Sequence, residues 1–426
     1  MDIVFPLEFK ELLRLKKEID KNPEKWEEVK RVINPLEFAS ADIAVAKVQP
    51  ISRAFFKMIE LTDKLNPLPE NPVRTLHLAE SPGGFVQAWN WIRKPLGFTD
   101  DVTSISLEKG SYESTWKRLI EVSRFWLSRP HLYTGDLLNK DTRSKIINEY
   151  ETVEGKAWLV TGDGGFDFSE DYQNQETTAL PLILAQMLIG LRCLEKGGAM
   201  ILKVFDCFTL PTIQILWVFC KVFGEFRIVK PDTSRVCNAE KYIIAKDFKG
   251  VDNNLDIFLS KIDTILNAYY DSNTTSVSTP TPTPTGHTIT TLFETGPISK
   301  WETMDESFKM CFETSIRRFI NTQINWIQKG IDMINTNTIR EDTLKKTKYL
   351  IRWCRKYHIP INREYFESHR RCLSYQTTPL ETDHSSQSQS QPQNRRVFFQ
   401  RPEPRSDLPE RVPLVFQHRR RSCDET

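Results

Sequence analysis

The sequence predicts a doubly wound α/β sheet with helical segments before and after it. Three observations carry that prediction. Between about residues 74 and 246, short apolar runs alternate with amphipathic stretches, as strands do when crossover helices connect them. The first apolar run ends in Pro82-Gly83-Gly84 and leads into a helical stretch. Polar residues stand in the later apolar runs or at their ends: Asp163, Lys203 and Glu240.

In chain order, residues 7–32 carry Leu and Trp at helical spacing among many charges, which predicts a helical arm within residues 1–50. A helix is expected over residues 51–65, ending near Asn66-Pro67. Strands are expected at 74–79, 102–107, 157–161, 199–205, 226–229 and 241–246, and helices at 84–93, 112–127, 174–195 and 211–223. This places the sheet domain at 51–271. Residues 272–288 are rich in Ser, Thr and Pro and are expected to form an extended linker. A helical domain is expected over 289–375, where Phe312, Ile316, Phe319, Ile320, Ile324, Ile327 and Ile331 recur at helical spacing. Residues 376–426 are dominated by Ser, Gln, Pro and Arg and read as a disordered tail. Its arginines, Arg395, Arg396, Arg419, Arg420 and Arg421, suit either a weak polyanion contact or solubilisation.

Composition narrows the function. The chain has 426 residues and a net charge of +2, so any RNA-binding surface is a local patch rather than a global property. The eight cysteines include no Cys-x-x-Cys pair, which argues against a zinc site or a disulfide scaffold. The N-terminus lacks the apolar core of a secretion signal, and the apolar run Ile215 to Cys220 is too short for a bilayer. A soluble intracellular protein is expected.

His77-Leu78-Ala79-Glu80-Ser81-Pro82-Gly83-Gly84-Phe85 joins a strand to a helix. Glycine there admits close backbone approach, and a helix N-terminus presents free N–H groups. The turn matches neither Gly-x-Gly-x-x-Gly nor a P-loop, which disfavours dinucleotides and nucleoside triphosphates. Glu108 follows the second expected strand, where a carboxylate accepts ribose hydroxyl protons. Asp136 lies at the next crossover, where it can bond an adenine amine.

Lys203 interrupts the run Ala199 to Phe205, and a lysine so placed needs a partner or a task. Asp163 ends the run Leu159 to Gly162, Lys57 lies on the expected helix 51–65, and Glu240 precedes the run Tyr242 to Ala245. A Ser234-Arg235 turn before Glu240 suits a phosphate grip, with Lys230 and Lys241 beside it.

With these residues in hand, the chain resembles the FtsJ-like (RrmJ-type) ribose 2′-O-methyltransferases, in the Adrift-type branch with the mRNA cap methyltransferases and homologues in large cytoplasmic DNA viruses. The resembling residues are Asn34-Pro35-Leu36-Glu37, Ser52-Arg53-Ala54 through Lys57, Pro82-Gly83-Gly84-Phe85 and Asp163-Gly164-Gly165-Phe166. They continue through Gly197-Gly198, Lys203-Val204-Phe205-Asp206, Lys230-Pro231, Thr233-Ser234-Arg235, Asn238, Glu240 and Tyr242, covering roughly residues 34–248.

The resemblance implies a Rossmann-like sheet, S-adenosylmethionine as donor, and Lys57, Asp163, Lys203 and Glu240 as the catalytic tetrad. Glu80, Pro82, Gly83, Gly84, Glu108, Asp136 and Asp163 are then the donor-binding residues, and Lys230, Ser234 and Arg235 the RNA contacts. Lys203 is the expected proton acceptor, its pKa lowered by Lys57 and the sulfonium and opposed by Asp163 and Glu240. Two departures from the family pattern stand out: His77 replaces an acid, and Glu80 replaces a small residue and is available to the donor's amino group. The implied substrate is the cap-proximal end of mRNA, and a viral origin would put the protein in the host cytoplasm or the virion. The helical block and tail are then candidate contacts for capping or transcription machinery. The alternatives are a ribosomal or transfer RNA methyltransferase, and a non-catalytic RNA-binding or virion protein that keeps the fold.

Overall fold

The computed structural model describes residues 3–34, 36, 45–124, 126–152, 155–165, 174–274, 289–340, 342–362 and 416–417. Pro35, Glu37, Phe166, linker residues 275–288, residues 363–375 of the expected helical domain and all of the tail but 416–417 lie outside the described residues, with the expectations that rest on them, while residues 272–274, expected in the linker, are the last of a helix instead.

The N-terminal arm is two helices, α1 (Pro6–Ile19) and α2 (Pro23–Ile33), because Pro23 cannot continue α1 yet suits a first turn. Helix α3 (Ala54–Asp63) follows. The sheet region then runs β1 (Arg74–Leu78), α4 (Gly84–Arg93), β2 (Asp101–Ser106), α5 (Tyr112–Ser123), β3 (His131–Thr134) and α6 (Lys140–Thr152). It continues with β4 (Ala157–Gly162), α7 (Gln175–Cys193), β5 (Leu194–Phe205), α8 (Leu210–Val222), β6 (Phe223–Val229) and β7 (Glu240–Phe248). Helices α9 (Asn253–Thr274), α10 (Glu306–Asn335) and α11 (Thr343–Lys356) come last, with a two-residue strand β8 (Phe416–Gln417) on the β6 edge.

The strand order is β3-β2-β1-β4-β5-β7-β6-β8. Strands β3, β2, β1, β4 and β5 are parallel and β7 is antiparallel between β5 and β6. This is a Rossmann-like doubly wound sheet. Its strand order reverses between β1 and β4, and the crevice at the carboxyl ends of those strands is where such sheets bind ligands.

Strand alternation sorts side chains onto two faces. Leu76, Leu78, Val160, Met200, Leu202, Val204, Ile243 and Ala245 face one apolar cluster, shared with residues of α1, α2, α7, α8, α9 and α10. Leu159, Ile201, Tyr242 and Ile244 face the other, shared with Phe55, Phe56 and Ile59 of α3, Phe85 and Trp89 of α4, and Leu350, Ile351 and Trp353 of α11. The helices beyond the linker therefore complete the packing on both sides of the sheet.

His77 is fully buried in β1, with Nδ1 2.8 Å from Thr161 Oγ1 and Nε2 3.1 Å from Thr75 Oγ1. Burial pushes its pKa down to about 3, so the ring is neutral. Both nitrogens are occupied within the sheet.

Candidate active site

The two-residue period of the strands brings the polar set together. Lys203 of β5 pairs in register with Tyr242 of β7, and Phe205 pairs with Glu240. Gly162 of β4 pairs with Leu202, which puts Asp163 level with Lys203. Lys57 reaches the same face from α3, whose Phe55, Phe56 and Ile59 pack against it.

Within this cluster Lys57 Nζ lies 2.8 Å from Glu240 Oε1 and donates to Oε2 at 2.9 Å. Lys203 Nζ lies 3.0 Å from Asp163 Oδ1 and donates to the Asp163 carbonyl at 2.6 Å. Tyr242 donates its hydroxyl to Asp163 Oδ1 at 2.7 Å, and Ser234 donates to Glu240 Oε1 at 2.8 Å. The four expected residues thus form two cation–carboxylate pairs. Tyr242 joins them, a position whose role the sequence reading left open. Its signal was the alternation itself, since residues 240 and 242 of one strand must share a face.

The electrostatics follow from burial and these neighbours. Burial alone would raise the Glu240 carboxyl, but Lys57 and Lys203 outweigh it and hold the group well below the usual carboxylate range. Burial alone would lower Lys203, but Asp163 and Glu240 outweigh it and hold the ammonium above its ordinary value. Of the opposed influences expected on Lys203, the carboxylates prevail, because both face the amine.

At the carboxyl ends of the strands, four acids stand in spatial order. Asp136 follows β3, Glu108 follows β2, Glu80 follows β1 and Asp163 follows β4. Three gaps between neighbouring strands span about 14 Å. Glu108 is exposed and accepts from Thr134 Oγ1 at 3.1 Å; Asp136 is half-buried and accepts from the Leu138 N–H at 2.9 Å. A row of acceptors this long suits an extended nucleoside that presents an exocyclic amine, ribose hydroxyls and an ammonium.

Glu80 differs from the other three. It is buried, and its Oε1 accepts the N–H groups of Phe85 and Val86 at 2.6 and 3.2 Å, so it caps α4 from within the turn. Burial, then the charge of Asp163, pushes its carboxyl well above the usual range. Gly83 has φ 111°, and a Cβ on Gly84 would stand 2.4 Å from Ser52 Oγ. These glycines are thus required by the turn and by its packing against the start of α3, with Pro82 completing the turn.

Two expected RNA contacts point inward instead. Lys230 is buried and donates to the Asn238 carbonyl at 2.8 Å, Asn238 Oδ1 at 2.6 Å and the Glu240 carbonyl at 2.8 Å. Ser234 is buried and spends its hydroxyl on Glu240. Lys241 is likewise buried on the opposite face of β7, donating to the Asp206 and Ala239 carbonyls at 3.2 and 2.9 Å. Their spacing resembled a phosphate grip, but each amine or hydroxyl is consumed in closing the loop onto β7. Of the expected contacts only Arg235 is exposed.

A residue that the sequence reading passed over holds this loop. Glu60 of α3 is buried and accepts from the Asp232 N–H at 2.7 Å, the Thr233 N–H at 2.8 Å, Thr233 Oγ1 at 2.7 Å and Trp353 Nε1 at 3.2 Å. Burial, then the nearby Asp232 charge, pushes its carboxyl up to about 7. Its only sequence signal was a glutamate one turn from Lys57 on a largely apolar helix.

Among the described residues no group of His, Cys, Asp and Glu is arranged to hold a metal ion, and no helix is long and apolar enough to cross a membrane.

Comparison with known proteins shows what the sheet region is similar to. Residues 50–248 match the model of the FtsJ-like methyltransferases. The chain is 29% identical over 238 residues to "Probable methyltransferase EP424R" of African swine fever virus (strain Badajoz 1971 Vero-adapted), covering 51% of this chain and 53% of that protein. It is 27% identical to "Cap-specific mRNA (nucleoside-2'-O-)-methyltransferase 1" of Dictyostelium discoideum, covering 58% of this chain and 35% of that one. The match thus spans about half the length of the viral relatives and less of the cap enzyme. Among solved structures, human methyltransferase-like protein 13 in complex with SAH overlaps 50% of this chain and 92% of its own at 12% identity, with a TM-score of 0.33. An overlap of that size carries no argument.

Proposed function

We propose that the protein, whose residues 50–248 match the FtsJ-like methyltransferase model, transfers a methyl group from S-adenosylmethionine to a ribose 2′-hydroxyl of RNA, in the cap-proximal nucleotides of mRNA. The observation that carries this reading is the convergence of Lys57, Asp163, Lys203 and Glu240 on one face of the sheet, beside the β1–α4 turn.

The acceptor row fits the donor. Asp136 would take the adenine amine, Glu108 the ribose hydroxyls, and Glu80 and Asp163 the amino group. Glu80 has one oxygen committed to α4, and an ammonium beside it would favour its ionised form. When bound, the donor supplies an electrophilic methyl on a sulfonium.

The chain's own residues do the rest. An in-line displacement needs the 2′-oxygen aligned and its proton removed. Lys203, fixed by Asp163, is the group that receives the proton at Nζ. Asp163 is itself oriented by Tyr242, while Glu240 fixes Lys57 on the other side of the amine. Asp163 and Glu240 favour the protonated form of Lys203, so it accepts a proton only after losing its own to solvent.

Incubating the protein with labelled donor and short capped or uncapped RNA tests the proposal. Transfer to the ribose of the first nucleotides only when the cap is present is the expected result. Transfer regardless of the cap would overturn the cap assignment, and no transfer to any RNA would overturn the reaction.

A further inference from the structure

Helix α11 lies beyond the region that matches the family, and its sequence Thr-Leu-Lys-Lys-Thr-Lys-Tyr-Leu-Ile-Arg-Trp-Cys-Arg-Lys contains cations and no acid. Leu350, Ile351, Trp353 and Cys354 are buried in the cluster under α3. Lys345, Lys348, Arg352, Arg355 and Lys356 are exposed. At 3.6 residues per turn these five fall within an arc of about 100° on the side away from the buried residues. They form one stripe along almost the whole helix, about 16 Å long at its rise per residue.

The stripe is costly by itself. Like charges three and four positions apart on a helix repel, and this face holds four such pairs. Among the described residues none of the five is in an ion pair. Of the acids near the helix, Asp342 accepts the Lys345 N–H as its cap, Asp63 pairs with Lys64, and Glu60 accepts from Trp353 and the loop before β7. Helix α10 is built in the opposite way, with Lys309 on Glu306 and Arg317 near Glu313. Scaffolding alone asks for the α10 pattern. A row of exposed cations without an ion pair among the described residues, with Lys356 over the Tyr357 ring, is complementary to a polyanion.

The stripe is also fixed relative to the tetrad. Trp353 packs edge-on against Phe56 with ring centroids 5.4 Å apart and donates to Glu60, so α11 is seated on the helix that carries Lys57. The segment leading into α3 is tied to the end of α11, where the Lys47 N–H donates to the Pro360 carbonyl at 2.7 Å and the Asn362 N–H to the Val45 carbonyl at 2.8 Å.

We infer that the exposed face of α11 is an RNA-backbone track that holds the strand running out of the methyl-transfer site. The inference rests on the RNA substrate proposed above, and it gives the helices after the linker a task in substrate binding. Its contacts are to phosphates, so it adds affinity without sequence preference.

The test uses the full chain and a labelled single-stranded RNA of about twenty nucleotides, with binding read by fluorescence anisotropy across a salt series. The variant Lys345→Gln/Lys348→Gln/Arg352→Gln should bind roughly tenfold more weakly near 0.1 M salt, and its log K against log salt should be shallower by about 2, at about 0.7 per cation lost. A second variant, Arg355→Gln/Lys356→Gln, unloads the other end and should shift both quantities in the same direction. Unchanged affinity and slope in both variants would overturn the inference. So would a polyglutamate peptide whose binding is lost in the variants while RNA binding stays, since the face would then fit an acidic protein. Methyl transfer by the unaltered chain is scored separately. If no methyl group moves but RNA binding falls in the variants, the reaction fails and the track stands.

Discussion

Glu240 is buried, meets Lys57 through both carboxylate oxygens and takes a third bond from Ser234. Because its folded-state pKa lies below the unfolded value, its contribution to stability is present above the ordinary carboxylate range and is lost as pH falls through that range and below. Glu240→Gln should flatten this part of the acid-unfolding curve. It also leaves the half-buried Lys57 without a carboxylate, at a cost of about 2–4 kcal/mol, whereas Lys57→Met/Glu240→Gln should cost less than the sum of Lys57→Met and Glu240→Gln. Urea unfolding of Lys57→Met, Glu240→Gln and their double decides the matter, and a double variant as unstable as the sum of the singles would show that the pair has no coupling. Lys203 carries the opposite expectation. Its pKa is raised, so the neutral amine grows with pH and the rate of transfer should climb from neutral into alkaline pH. Lys203→Arg keeps a cation beside Asp163 but cannot lose its proton, and should abolish transfer at every pH while donor binding stays near normal. A flat pH profile in the unaltered enzyme would remove Lys203 from the role of acceptor.

The loop between β6 and β7 shows what strand periodicity can reveal and what it hides. Strand β7 and the shared face of residues 240 and 242 were readable from alternation alone. The loop's anchors were not, because each comes from far along the chain. Asn34 after α2 accepts the Val236 N–H at 2.9 Å, Arg53 donates to the Thr233 carbonyl at 2.9 Å, and Gln323 of α10 donates to the Cys237 carbonyl at 3.0 Å. Glu60 holds the other end with help from Trp353. For the same reason Lys230 and Ser234 looked like surface phosphate contacts: sequence shows residue type, and only tertiary contacts show which way it points. Strand β3 and helix α6 went unread for another reason, since one is four residues long at a sheet edge and the other is largely polar. The loop clamp predicts that Trp353→Phe, which preserves the aromatic packing on Phe56, lowers stability by about 1–3 kcal/mol because Glu60 loses a buried donor. An unchanged denaturation midpoint would show that this bond carries nothing. Glu60 itself works against the molecule at higher pH. Its folded pKa lies above the unfolded one, so ionising it should cost stability as pH rises from about 4.5 to about 7, and Glu60→Gln should remove that decline.

At the scale of the whole molecule, the parts outside residues 50–248 are built into the sheet's cores. Helix α10 packs on both α1 and α2, Phe5 stacks on Phe312 at 5.8 Å, and residues of α10 share one apolar cluster with β1, β4 and β5. The heptad-like isoleucines of α10 announced a buried face, but nothing in the sequence named its partner. Gly330 is the point where that partnership is tightest. A glycine inside a helix costs about 1 kcal/mol relative to alanine, and here it stands where any Cβ would come 2.5 Å from the Trp26 ring and 2.8 Å from Val29 Cγ1. The absent side chain lets α10 approach α2, which ends at Asn34, the residue that accepts the Val236 N–H. Gly330→Val should therefore overpack this contact and lower stability by about 1–3 kcal/mol, and it should lower methyl transfer further than Val29→Ala, which loosens the same contact without forcing the helices apart. Hydrogen exchange at the Val236 amide should rise in Gly330→Val if the helices support the loop. Faster global unfolding with Val236 protection unchanged relative to its neighbours would show that α10 and α2 stabilise the fold without positioning the site.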